Sequence, residues 1–161
     1  MKIVYVMVGV PGSGKSTWCK RVSSFLDKCD IDNMIFSSDK YREKLFGDEN
    51  DQTHNSEVFN ELYKDMTCFM SRDFSRVAFF DATNLTKKSR KELFKRFSNF
   101  KDGEVSFIAV VMSTPLEECI NRDNGRKESG KRFVGKEVIN KMFNKFSYPE
   151  RNEGFADIIE E

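Results

Sequence analysis

The residues with the clearest chemical meaning lie near the start of the chain, in the run Gly9-Val10-Pro11-Gly12-Ser13-Gly14-Lys15-Ser16. The run matches the pattern G-x-x-x-x-G-K-[ST], whose glycines let the backbone curl until successive N–H groups point at phosphate oxygens. Lys15 can then reach the β- and γ-phosphates of a nucleoside triphosphate, and the hydroxyl of Ser16 can bind Mg²⁺. We therefore expect a nucleotide-binding loop made by Gly9, Pro11, Gly12, Ser13, Gly14, Lys15, Ser16 and Thr17.

Asp39 and Arg42 form a second polar pair, directly after a short apolar run at residues 34–37. In an open α/β sheet, ligands bind at the carboxyl ends of the strands, and a helix beginning here would place both side chains on one face. The carboxylate could accept the proton of an attacking hydroxyl, and the arginine could hold an acceptor phosphate through two hydrogen bonds. The alternative is that Asp39 caps the helix and Arg42 is solvated.

Asp81 ends a third apolar run, 77–80, and begins the segment Asp81-Ala82-Thr83-Asn84. The run resembles a Walker B strand, whose aspartate helps to hold Mg²⁺. A structural turn is the alternative, because Asp and Asn are frequent turn residues.

Two arginines, Arg122 and Arg126, lie in the charged stretch 121–132 together with Lys127, Lys131 and Arg132. Kinases of small molecules and nucleosides close a mobile lid over the nucleotide at this point of the chain. An arginine from such a lid can neutralise charge on the transferring phosphoryl group. The alternative is a solvated basic loop on the surface.

The elements that must position these residues alternate along the chain. Strands are predicted at 2–8, 34–37, 77–80, 105–112 and 156–160. Helices are predicted at 16–26, 40–46, 56–71 and 135–146, and from the N-cap Thr86 to about 99. A further helix is predicted to open at Pro115, which would lie in its first turn. This alternation predicts an α/β protein with the P-loop NTPase fold: a mostly parallel sheet of four to five strands, flanked by helices, with a lid segment.

Length and composition agree with this prediction. The chain has 161 residues, which fits one P-loop domain over 1–161 with its lid at about 115–135. A formal net charge of +1 excludes a basic field over the whole surface, although a local basic patch remains open. No apolar run approaches the ~18 residues of a membrane helix. Four widely spaced cysteines and one histidine argue against a zinc site or a disulfide framework and favour the cytoplasm.

Four segments together resemble a known family. They are MKIVYVMVGVPGSGKSTW at the start, Ser38-Asp39-Lys40-Tyr41-Arg42, Asp81-Ala82-Thr83-Asn84-Leu85, and Arg122 with Arg126. In order and spacing they are similar to the 5′-kinase domain of phage-type polynucleotide kinases, within the AAA_33-like group of P-loop kinases. The Asp-x-Asp-x-Thr motif of the 3′-phosphatase domain that accompanies the phage kinases is absent from the sequence, so we expect a kinase without that domain.

The resemblance implies roles for individual residues. Lys15 and Ser16 would hold ATP and Mg²⁺, and Asp39 would be the general base on the 5′-hydroxyl of DNA or RNA. Arg42 would bind the phosphate on the 3′ side of the acceptor nucleotide, Arg126 would contact the phosphates of ATP, and Arg122 would lie near the nucleotide. Ala82 stands where the phage family has an acidic residue, so Asp81 would either order the metal or support Arg42.

Two other functions are compatible with the same motifs. One is a P-loop kinase of a small metabolite or nucleoside, and the other is a nucleotide-dependent regulatory or binding module. A polynucleotide needs a long groove, which the cluster of Lys87, Lys88, Arg90 and Lys91 could line. The same residues could equally form the outer face of a helix.

Overall fold

Five parallel strands form the central sheet. In the computed structural model, which describes residues 1–161, they are β1 (Lys2–Val8), β2 (Asn33–Ser37), β3 (Arg76–Asp81), β4 (Ser106–Val111) and β5 (Asp157–Glu160). Their order in the sheet is β2-β3-β1-β4-β5, and every neighbouring pair is parallel. The predicted α/β class, with a P-loop arrangement of parallel strands, is confirmed.

Six α-helices connect and flank the strands. They are α1 (Lys15–Lys28), α2 (Ser38–Phe46), α3 (Asn55–Ser71), α4 (Lys87–Arg96), α5 (Leu116–Glu128) and α6 (Lys136–Phe143), and a 3-10 turn at Arg151–Glu153 precedes β5. Thr86 caps α4 as predicted, because its side-chain oxygen accepts a hydrogen bond from the backbone N–H of Ser89. None of the helices combines the length and apolar character that crossing a bilayer requires.

The charged stretch 121–132 is mostly helical, so the alternative of a basic loop is wrong for residues up to Glu128. Helix α5 runs through Gly125 to Glu128, with Arg126 and Lys127 in its last turn, where cations interact favourably with the helix dipole. Pro115 is the N-cap of α5 and not its first helical residue. Arg122 and Arg126 therefore project from a helix, and only the residues after Glu128 form a connecting loop.

Two other helices end a few residues earlier than predicted. Helix α4 ends at Arg96 instead of 99, since Phe97 turns into the core and is only 5% exposed. Helix α6 ends at Phe143 instead of 146. In both cases the apolar pattern continues past the end of the helix, because residues in the following turn also pack inward.

The sheet is buried on both faces, which explains why its strands read as continuous apolar runs. On one face, Val4 and Val6 of β1 pack in a cluster with residues of α3 and α4. On the other face, Met7 packs against Trp18 of α1. A third cluster contains Val10, Leu85, Cys119 and Ile139 and joins α5 and α6 to the carboxyl edge of the sheet.

Arg90 is fully buried. It therefore neither lines a groove for a polynucleotide nor lies on the outer face of its helix, the two positions predicted for its cluster. Its Nε and Nη2 atoms each donate to a carboxylate oxygen of Glu153 at 2.8 Å. Its Nη1 donates to the carbonyl oxygens of Asn84 and Ser147, both at 3.0 Å. Lys87, one turn away, is exposed and pairs with Glu150 on the surface. Arg90 thus connects α4 to the segment that follows β3 and to the turn before β5.

We expect Arg90→Ala to lower the free energy of unfolding by about 3–5 kcal/mol, because the variant leaves the Glu153 carboxylate buried without its partner. The matched control is Lys87→Ala on the same helix, whose exposed ion pair should contribute less than about 1 kcal/mol. Urea denaturation of the two variants measures both values. An Arg90→Ala loss no larger than that of Lys87→Ala would contradict a structural role for the buried pair.

Candidate nucleotide and acceptor site

The loop between β1 and α1 has a backbone that strongly favours glycine. Gly12 and Gly14 have φ angles of +83° and +96°, in the left-handed region. A Cβ atom at Gly12 would lie 2.3 Å from the carbonyl oxygen of Cys119 on α5. The loop can therefore curl tightly only while these positions carry no side chain, and α5 packs directly on it.

The N-terminus of α1 is open towards the cleft. Gly14 supplies no side-chain cap, and the first turn contains no acidic residue. The first N–H groups of the helix and its positive dipole end are therefore free for an anion. The side chain of Thr114 supports the loop from outside by donating to the carbonyl oxygen of Ser13 at 2.9 Å. This geometry fits the phosphates of a nucleoside triphosphate.

Lys15 is 8% exposed, and its Nζ donates to the carbonyl oxygen of Val10 at 2.8 Å. Burial lowers the pKa of Lys15 from its usual range, while the negative charges of Asp81 and Asp39 oppose that shift. The lysine is thus held against the loop, within the electrostatic influence of the two aspartates that the sequence singled out.

Asp81, at the end of β3, contacts Ser16 in the first turn of α1. Its Oδ2 accepts a hydrogen bond from the Ser16 hydroxyl at 2.7 Å, whereas the side-chain partners of Arg42 are Asp39 and Asn55. Burial raises the pKa of Asp81, and the Ser16 hydrogen bond and the charge of Lys15 oppose this. Of the two roles left open for Asp81, the geometry favours metal ordering over direct support of Arg42.

The chemistry of this pair suits Mg²⁺. The protein has no cluster of three His, Cys, Asp or Glu side chains that could enclose a metal ion. Mg²⁺ does not need one, since it usually binds one or two protein oxygens and completes its shell with water and nucleotide phosphates. The Ser16 hydroxyl and the Asp81 carboxylate are suitable oxygen donors for such a site.

Asp39 and Arg42 lie together, as the spacing predicted. Ser37 is the N-cap of α2, so Asp39 lies in the first turn, and the capping alternative is wrong. Arg42 is 5% exposed, which excludes a solvated arginine. Its Nη1 donates to Asp39 Oδ1 at 2.8 Å, and its Nη2 donates to Asn55 Oδ1 at 2.8 Å. A third side chain, Arg132, donates to Asp39 Oδ2 at 2.6 Å.

The two arginines of α5 line the same cleft. Arg122 pairs with Glu118 and donates from Nη1 to the carbonyl oxygen of Gly12 at 3.3 Å. Arg126 lies 3.5 Å from the carboxylate of Asp123, one turn earlier. Arg122 thus contacts the nucleotide loop and Arg126 lines the same cleft, so the alternative of a purely solvated basic loop does not describe them.

The cleft has a volume of about 780 Å³, which is sufficient for a nucleotide and part of an acceptor. Besides the predicted residues, it contains side chains for which the sequence predicted no individual role, namely Trp18, Arg21, Gln52, Asn55, Phe59, Met112, Thr114, Arg132, Met142 and Glu161. Asn55 and Arg132 matter most, because they contact Arg42 and Asp39. No local motif marks either residue.

Comparison with known proteins bears on the family to which the domain is similar. The AAA_33 family model, described as an AAA domain, matches residues 4–149. The chain is 24% identical over 152 residues to an L-seryl-tRNA(Sec) kinase of Methanococcus maripaludis, covering 91% of this chain and 53% of that protein. It is 25% identical over 129 residues to a 6-phosphofructo-2-kinase/fructose-2,6-bisphosphatase 3 of Bos taurus, covering 73% of this chain and 28% of that protein. The chain thus spans about half, or less, of these relatives.

Solved structures share the fold. The Pnkp1/Rnl/Hen1 RNA repair complex matches with a TM-score of 0.70 and 19% identity, over 89% of this chain and 43% of that one. A fungal RNA kinase matches with a TM-score of 0.66 and 16% identity, over 99% and 38%. APS kinase CysC of Mycobacterium tuberculosis, in complex with AMPPNP and APS, matches with a TM-score of 0.67 and 21% identity, over 99% and 87%.

Replacement of Asp81 is expected to raise the stability of the nucleotide-free protein and to weaken nucleotide binding. Because burial raises the pKa of Asp81, its charged form opposes folding at neutral pH, and that penalty disappears as the pH falls through the raised pKa towards 3.8. We therefore expect Asp81→Asn to raise the midpoint of thermal unfolding of the nucleotide-free protein at pH 7. The difference from wild type should vanish in acid. Binding of ATP with Mg²⁺ should weaken by about 10- to 100-fold.

The control for this prediction is Asp73→Asn, a change at an exposed aspartate before β3. It should alter neither the unfolding midpoint at pH 7 nor the ATP affinity measured by titration calorimetry. A lower midpoint for Asp81→Asn than for wild type at pH 7 would show that the Asp81 charge stabilises the fold, contrary to the prediction.

Proposed function

Because the chain belongs to the AAA_33 family of P-loop kinase domains, we propose that it is an ATP-dependent kinase that transfers the γ-phosphate of ATP to the 5′-hydroxyl of a polynucleotide, DNA or RNA. Residues 1–161 would act as one kinase domain whose lid is the segment from about 115 to 135. The cysteine usage and the kinase assignment are consistent with work in the cytoplasm.

The observation that carries the proposal is the hydrogen-bonded pair of Asp39 and Arg42, in the cleft that also contains Lys15 and Ser16. In the transfer step, the acceptor hydroxyl oxygen bonds to the γ-phosphorus, the bond from that phosphorus to the bridging oxygen breaks, and ADP leaves. Asp39 receives the hydroxyl proton. A regulatory module that only binds nucleotide has no need for a buried arginine paired with a half-buried aspartate at this position.

Arg42 is suited to hold an anionic acceptor. Asp39 and Asn55 keep its guanidinium in one orientation, and its buried Nε has no hydrogen-bond partner within the protein. An arginine with an unused donor can bind a phosphate oxygen with little loss of side-chain freedom. We assign this residue to the phosphate on the 3′ side of the accepting nucleotide.

ATP and Mg²⁺ would be held by the loop and its neighbours. The backbone of residues 9–17 and Lys15 would bind the phosphates, and Arg122 and Arg126 would contact the nucleotide and its phosphates from α5. Ser16 and Asp81 would hold Mg²⁺, which neutralises phosphate charge when it is bound. The similar CysC structure contains AMPPNP, which supports ATP as the donor.

Three of the compared proteins support a nucleic-acid acceptor by their names: an RNA kinase, an RNA repair complex and a kinase of seryl-tRNA. The second candidate is a kinase of a small metabolite or nucleoside. It is favoured by coverage, since the match to APS kinase spans 87% of that chain, whereas the RNA-related matches span 43% and 38%. The acceptor must therefore be tested directly.

The deciding assay incubates the protein with γ-labelled ATP, Mg²⁺ and a 5′-hydroxyl oligonucleotide, with the 5′-phosphorylated form of the same oligonucleotide as control. We expect label on the first oligonucleotide and none on the second. DNA and RNA versions are compared in parallel. Nucleosides and small metabolites are offered in parallel incubations. If one of them were labelled and neither oligonucleotide were, the small-molecule alternative would replace the proposal.

Asp39→Asn should reduce turnover by roughly 10²- to 10⁴-fold while leaving ATP affinity close to that of wild type, because the amide cannot accept the hydroxyl proton. Glu43→Gln is the matched control, since Glu43 lies on the same helix and its exposed carboxylate pairs only with Lys40. Single-turnover transfer and ATP titration measure the two effects. A turnover for Asp39→Asn equal to that of Glu43→Gln would remove Asp39 from the mechanism.

A further inference from the structure

Arg132 covers the carboxylate that is proposed to act as the base. It lies in the loop between α5 and α6, and its Nη1 donates to Asp39 Oδ2 at 2.6 Å. The other carboxylate oxygen, Oδ1, accepts from Arg42 at 2.8 Å. Each oxygen of Asp39 is thus occupied by a guanidinium group. An acceptor hydroxyl has to compete with Arg132 for the carboxylate.

The loop aims Arg132 at this position through backbone contacts on both sides. On one side, the N–H of Lys131 donates to the carbonyl oxygen of Arg126 at 2.9 Å. On the other, the fully buried carboxylate of Asp123 accepts from the N–H groups of Val134 and Gly135, at 2.8 Å for Gly135. Arg132 itself is half-buried, and its buried Nε has no hydrogen-bond partner. The contact with Asp39 is therefore set by the fold.

The ion pair lies where two cavities meet. The nucleotide cleft and a second cavity of about 390 Å³ share Ser16, Asp39, Asp81, Arg126 and Arg132 in their linings. The second cavity also contains three lysines, Lys20, Lys40 and Lys131, and one further acid, Glu49. Its excess of positive charge would attract an anionic group to the neighbourhood of Asp39 and Arg132.

We propose that Arg132 masks Asp39 from water until an anionic acceptor enters, and thereby suppresses hydrolysis of bound ATP. An anionic group of the acceptor offers Arg132 another partner, so that the arginine leaves the carboxylate when a hydroxyl is ready to use it. This proposal rests on the role of Asp39 given above, but not on the identity of the acceptor. It gives the lid a second task beside covering the nucleotide.

The reaction that the mask prevents is balanced as follows. A water oxygen bonds to the γ-phosphorus, the bond from that phosphorus to the bridging oxygen breaks, and one water proton passes to Asp39. The products are ADP and inorganic phosphate. Water is always present, whereas the acceptor is scarce, so a kinase with an open base at this position would waste ATP.

The test measures ATP hydrolysis by the full chain with Mg²⁺ and without any acceptor. We expect Arg132→Ala to raise the rate by about tenfold, which corresponds to the loss of one charge-assisted hydrogen bond at about 1.4 kcal/mol. Lys136→Ala, at an exposed lysine in the first turn of α6, is the matched control and should hydrolyse ATP at the wild-type rate. An Arg132→Ala rate equal to that of the control overturns the proposal.

Two further variants make the result specific. In Asp39→Asn/Arg132→Ala, the added hydrolysis should disappear, because water then has no carboxylate to use. If it persists, Arg132 does not act through Asp39 and the proposal fails. Arg132→Gln, which retains more of the side-chain volume without the charge, carries the same expectation if thermal unfolding shows that the alanine variant does not fold.

The outcome is separable from that of the proposed function. Hydrolysis is measured without a polynucleotide, so failure to label an oligonucleotide would refute the acceptor assignment and leave the masking result standing. Conversely, an oligonucleotide kinase whose Arg132→Ala variant hydrolyses ATP no faster than wild type would refute masking alone.

Discussion

The site depends on compensation among charges that are buried at the carboxyl edge of the sheet. Lys15, Arg42 and Asp81 are each 5–8% exposed, and a charge taken out of water at such a position is costly unless it is paired. Asp39 meets Arg42, and Asp81 meets the Ser16 hydroxyl with Lys15 near by. Because each group needs its neighbour, the ends of β1, β2 and β3 are linked into one constellation before any substrate binds.

Helix α5 is in direct contact with the nucleotide loop. A Cβ atom at Gly12 would collide with the carbonyl oxygen of Cys119, and Arg122 donates to the carbonyl oxygen of Gly12 itself. Helix α5 thus packs on the loop at its first turns, while the residues after its last turn reach across to Asp39 through Arg132. Helix α5 and the loop that follows it therefore contact both the nucleotide loop and Asp39.

The comparisons and the geometry bear on different parts of the reaction. The family match and the nucleotide loop concern the donor, and the kinases to which the chain is similar are named for different acceptors: a seryl-tRNA, a fructose phosphate and APS. Asn55 and Arg132 line the same cleft and contact Arg42 and Asp39. These two residues have no motif, so a shared fold alone does not decide the acceptor.

The sequence by itself determined the nucleotide loop, the alternation of strands and helices, and the pairing of Asp39 with Arg42, because each depends on residues close together in the chain. Glycine spacing and apolar periodicity express local backbone and burial requirements directly. The tertiary structure alone decided that Arg132 contacts Asp39, across 93 positions, and that Arg90 is buried against Glu153, across 63. Such pairs leave no local pattern, because the sequence around a charged residue does not show whether its side chain is solvated or bound to a buried partner.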